Sequence, residues 1–165
     1  MKKLKNKNII TLLSMLMILL TGCTNPVRIS SDQIKEFREQ IQEDYASIKE
    51  IRLEFMPTTI YMYYEMKDPV TEEEKKEIFE QSRELLMSDT FDQEVIQAKF
   101  HKKYSSSGHP NFEILFDDGT QKVMSSFSIQ ANDSEDADEV YTQWYYSKGG
   151  DVPGELGEPY SLENK

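Results

Sequence analysis

The chain is short of the residues on which most small-protein chemistry depends. It has one cysteine, Cys23, so it cannot close a disulfide within itself or build a cysteine-based metal site. It has two histidines, His101 and His109, and no HxH or HxxxH spacing, so no histidine metal motif is present. Ser105 to Ser107 lie close to His109, but there is no G-x-S-x-G stretch or elbow context, which argues against a nucleophilic serine. Basic residues are outnumbered, 19 against 30 acids. A chain this acidic does not seek nucleic acid or anionic headgroups by charge. Long apolar runs are missing too. The one candidate, Ile9 to Leu20, would make about 18 Å of helix, too short for a hydrocarbon core of about 30 Å.

What precedes and follows that run gives it a meaning. Lys2, Lys3, Lys5 and Lys7 form a cationic start without acids, and small residues follow the apolar stretch, the layout of a secretory signal peptide. The stretch "LTGC" (Leu20 to Cys23) resembles the lipobox of bacterial lipoproteins. The resemblance covers residues 1–23 only. It implies cleavage between Gly22 and Cys23, a diacylglyceryl group on the Cys23 sulfur, and anchoring in the lipid bilayer at the outer face of the cytoplasmic membrane. The Lys- and Asn-rich start favours a Gram-positive source. Two acyl chains give stable anchoring where one would be marginal. The leader holds four of the 19 basic residues, so beyond residue 22 the chain carries 15 bases and 30 acids, a balance of −15.

The remainder reads as one α+β domain over residues 31–148, with a short tether at 23–30 and a flexible, acidic Gly/Pro tail at 149–165. "SDQIKEFREQIQEDYASI" has a helical stripe of Ile34, Phe37, Ile41 and Ile48 with Tyr45 beside it, and Ser30 and Gln33 have capping-box spacing. "IRLEF" and "TIYMYYEMK" alternate and predict two strands. "TEEEKKEIFEQSRELL" predicts a helix capped by Thr71 and Glu74, with Ile78, Phe79, Ser82, Leu85 and Leu86 facing inward. "EVIQAKFHKKY" reads as a strand. "NFEILF", the turn "DDGT", "QKVMSSFSIQ" and "VYTQWYYS" supply three more. The order α-β-β-α-β-β-β-β predicts a mostly antiparallel sheet with two helices on one face.

Alternation then sets an expectation for a site. Tyr61, Tyr63, Tyr141 and Tyr145 should lie on the sheet face opposite Ile60, Met62 and Tyr64, where an exposed aromatic strip could bind a partner. The acidic run Asp133, Glu135, Asp136, Asp138 and Glu139 lacks the EF-hand pattern and reads as a solvated loop. No cofactor signature and no catalytic constellation are present. The expected function is a non-catalytic binding or envelope-assembly module whose partner is an unidentified protein or peptide. Two alternatives stand beside it: an immunity or sequestering lipoprotein for a cationic peptide, suggested by the charge, and a small cell-envelope enzyme using His101 or His109 with a carboxylate.

Overall fold

The computed structural model describes residues 25–105, 108–120, 122–132, 134, 137–149 and 157–161, with the side chains of 137 and 138 left aside. The leader, Gly22, Cys23, Asp133, Glu135 and Asp136 lie outside the described residues. In chain order the elements are β1 (Val27–Arg28), α1 (Asp32–Asp44), β2 (Ile48–Phe55), β3 (Thr59–Met66), α2 (Glu72–Leu86), a third helix α3 (residues 89–104), β4 (Asn111–Asp117), β5 (Val123–Ile129), β6 (Trp144–Lys148) and β7 (Glu158–Tyr160). A helical turn, Ala137–Val140, precedes β6.

The seven strands among the described residues form one sheet, ordered as they occur in the sequence. Every neighbouring pair is antiparallel except β3 and β4, which run parallel with Ile60 beside Phe112 and Tyr64 beside Phe116. A parallel pair needs a long crossover, and α2 and α3 supply it. The fold is α+β, as expected, with its helices on one face of the sheet. Contacts from each helix reach that face. Phe79 of α2 lies 4.0 Å from Phe127 and 5.0 Å from Trp144, ring centre to ring centre. Phe91 and Phe100 of α3 lie 6.1 Å from Phe112 and 5.5 Å from Phe55. Ile34 and Ile41 of α1 are fully buried in the same cluster.

Local chemistry explains the helix starts. The Thr71 hydroxyl accepts from the Glu74 amide, and the Glu74 carboxylate accepts from the Thr71 amide, the reciprocal box the sequence predicts. At α1 the cap is Ser31, whose hydroxyl accepts from the Ile34 amide at 3.3 Å, and not the Ser30–Gln33 pair. Ile48, read with the α1 stripe, opens β2.

Three further expectations change. "EVIQAKFHKKY" is helical: α3 runs through Asp89–Phe91, a π-helical stretch Asp92–Phe100 and a last α turn His101–Tyr104. Phe91, Val95, Ile96 and Phe100 are all buried, and their spacing of four and five residues matches the wider π turn. Part of the segment read as a tether is structured. Val27 and Arg28 pair with Phe55 and Glu54, and Ile29 is buried. Part of the segment read as a tail is structured as well, since Glu158–Tyr160 pairs with Tyr146 to Trp144.

Candidate functional site

With the helices on one side, no helical layer among the described residues covers the opposite face of the sheet. Register places two cross-strand rows there. The first runs Glu54, Tyr61, Glu113, Ser128, Tyr145, Pro159; the second runs Arg52, Tyr63, Leu115, Ser126, Ser147. Three of the four tyrosines picked from sequence, Tyr61, Tyr63 and Tyr145, are on this face and half-buried. Tyr61 and Tyr63 stack with centroids 5.8 Å apart and planes 20° from parallel. The Arg52 guanidinium lies 5.0 Å from the centre of the Tyr63 ring.

Tyr141 is not part of the strip. The strand read over "VYTQWYYS" begins only at Trp144, so alternation does not reach back to Tyr141. Its ring packs 5.0 Å from Phe112 of the core, and its hydroxyl donates to the Pro110 carbonyl at 2.6 Å. Tyr141 is a structural clamp between the loop before β4 and the approach to β6.

The floor of the face is uneven. Tyrosines stand on β3 and β6, while β5 between them presents Ser126 and Ser128. Strands about 4.8 Å apart put roughly 14 Å between the β3 and β6 backbones. The serines therefore leave a recessed strip between two aromatic walls. Leu115 in that strip is only 7% exposed yet stands apart from the core cluster.

Charge on this face is largely paired. Arg28 meets Glu50 at 3.5 Å, Arg52 meets Glu54 at 3.8 Å and Asp117 at 3.9 Å, and Lys49 pairs with Glu65. Glu113 differs. Among the described residues, no hydrogen bond or ion pair reaches its carboxylate. Burial raises the Glu113 carboxyl above its ordinary range, since ionising it here means charging a poorly hydrated group. Nearby, burial and the charge of Glu54 push the Tyr63 phenol up to about 12, with Tyr61 and Glu113 adding to the effect. Burial, then the Glu113 charge, raises Tyr61.

The two histidines, eight residues apart in sequence, come together, with ring centroids 6.4 Å apart. His101 is on α3 and not on a strand. Its Nδ1 lies 3.1 Å from the Gln97 side-chain oxygen and its Nε2 3.2 Å from the Gly108 carbonyl oxygen. Among the described residues, no group of three or more His, Cys, Asp or Glu side chains is arranged to hold a metal ion. Sequence reasoning missed Glu113 and the two serines. The signal was available, because Glu113 alternates with Phe112 and Ile114, and Ser126 and Ser128 alternate with Phe127. Compared with family models, curated proteins and solved structures, the chain matches none.

Proposed function

We propose that this chain is a lipid-anchored, extracytoplasmic binding module that offers the tyrosine-bearing face of its sheet to a protein or peptide partner. The anchoring part rests on the lipobox-like "LTGC" and Cys23. The binding part rests on one observation: a face with no helical layer among the described residues carries the stacked Tyr61–Tyr63 pair on β3 and Tyr145 on β6, with the smaller side chains Leu115, Ser126 and Ser128 on the strands between them. Rigid aromatic side chains give large contact area at little entropic cost, which is why they concentrate at binding surfaces. A recess two strands wide accepts an extended segment or a row of side chains.

The test is photo-crosslinking in living cells. A photoreactive residue at position 63 or 128 should give a discrete crosslinked product. The same residue at position 36, on exposed α1, should give none. Products from position 36 alone, or the same ladder from all three positions, would overturn the reading.

A further inference from the structure

Glu113 is the least explained side chain of the sheet. It occupies the first register row, between Tyr61 and Ser128. The acids around it have partners: Glu54 and Asp117 share Arg52, and Glu65 holds Lys49. Its own carboxylate meets none among the described residues. A half-buried carboxylate without a counter-charge costs stability, and its raised pKa reflects that cost. Tyrosine rings are electron-rich and attract cations. The guanidinium of Arg52 already lies against one of them, so the face shows within itself how a cation is held there. Its neighbour across the sheet on β5 is Ser128, a small side chain.

We infer that the occupant of the face is a basic peptide segment, one of whose lysine or arginine side chains lies along the recess between Tyr61 and Tyr145 and closes an ion pair with Glu113. The inference rests on the proposed docking face and specifies what fills it. Charge complementarity selects the occupant. The chain beyond residue 22 carries a balance of −15, which draws basic segments in, and Glu113 is the acid of the face left open to receive one. The flanking rings and Leu115 then contact the apolar stem of the incoming side chain.

The experiment uses the full-length lipidated protein in neutral detergent and a fluorescently labelled nonapeptide of alternating lysine and serine, with its glutamate–serine and glutamine–serine counterparts as references. Anisotropy should report binding of the basic peptide alone. Glu113→Gln should weaken it tenfold or more while the melting temperature stays the same or rises. Glu36→Gln removes the same charge from exposed α1 and should change affinity less than twofold. Ser128→Trp, which fills the recess, should also block binding. Equal small losses from Glu113→Gln and Glu36→Gln would overturn the inference, because they would mean attraction by the overall field. A marked drop in melting temperature for Glu113→Gln would overturn it too, by making the residue structural. Loss with Ser128→Trp but not with Glu113→Gln would refute the seat and leave the docking face standing. No effect from either would refute both.

Discussion

Replacing Ser82 with alanine strands a hydroxyl in the middle of the protein. Tyr64 is fully buried, and its oxygen lies 2.6 Å from the Ser82 oxygen. The Ser82 hydroxyl donates to the Ile78 carbonyl, also at 2.6 Å, so its proton is committed and Tyr64 must be the donor between the two. Ser82→Ala leaves the phenol with nothing to donate to. A buried polar group left unpaired costs about 1–3 kcal/mol, and alanine returns up to about 0.5 kcal/mol of helix propensity. A net loss of about 0.5–2.5 kcal/mol is expected. Tyr64→Phe removes the donor and leaves Ser82 bonded to Ile78, so it should cost about 1 kcal/mol. The double variant removes both partners and leaves no orphan. It should be more stable than Ser82→Ala alone, with a coupling of about 1 kcal/mol. Urea unfolding at constant m-value measures all three midpoints. Strict additivity, or a double variant less stable than either single, would refute the hydrogen-bond direction and the argument built on it.

Other expectations follow from the same packing. Phe79→Ala should cost about 3–5 kcal/mol, because its buried ring meets Phe127, Trp144 and Tyr160, whereas Glu84→Ala on the exposed side of α2 should cost less than about 0.5 kcal/mol; similar melting temperatures would refute the assigned helix face. Burial raises the phenols of Tyr64 and Tyr141 above the unfolded value of about 10, so the native protein keeps protons that the unfolded chain releases. Stability should therefore hold up to about pH 10 and fall above it, by up to about 1.4 kcal/mol per pH unit for the fully buried Tyr64, and Tyr64→Phe should flatten the decline in alkaline denaturation. Tyr63 and Tyr146, both raised to about 12 but more exposed to solvent, add less. Cys23→Ala should leave a longer, unlipidated precursor by mass spectrometry; a mature N-terminus elsewhere would refute the lipobox reading.

The α2 helix was legible because its start and its face are written in side-chain chemistry: Thr71 and Glu74 satisfy each other locally, and Ile78, Phe79, Ser82, Leu85 and Leu86 keep a 3.6-residue beat. The strands of "TIYMYYEM" and "NFEILF" were legible from their alternation. α3 was not, and the cause is its wider turn. Ile96, Ala98 and Phe100 alternate with Gln97, Lys99 and His101, which imitates a strand, while the buried set Phe91, Val95, Ile96 and Phe100 follows a period no α-helix template matches. β1 and β7 have two and three residues, too few for any pattern, and are specified by the open edges they meet. The strip was half legible. Tyr61 and Tyr63 followed from period two, but Tyr141 was misplaced because the strand starts three residues later. Glu113 drew no notice because one glutamate in an alternating strand looks like any solvated position until its neighbours across the sheet are known.

The parallel seam between β3 and β4 bears on when this face comes into being. The β2–β3 and β4–β5 links span three and five residues, but 44 residues separate Met66 from Asn111. Closing that span costs about 2 kcal/mol more chain entropy than closing a hairpin. The strands on either side can zip locally, and the seam is expected to close after them. Tyr61 and Tyr63 stand on one side of it, and Glu113 and Leu115 on the other. A partly folded chain holds the two halves of the surface without joining them, so a partner that docks here as proposed would meet the complete surface only on chains whose seam has closed.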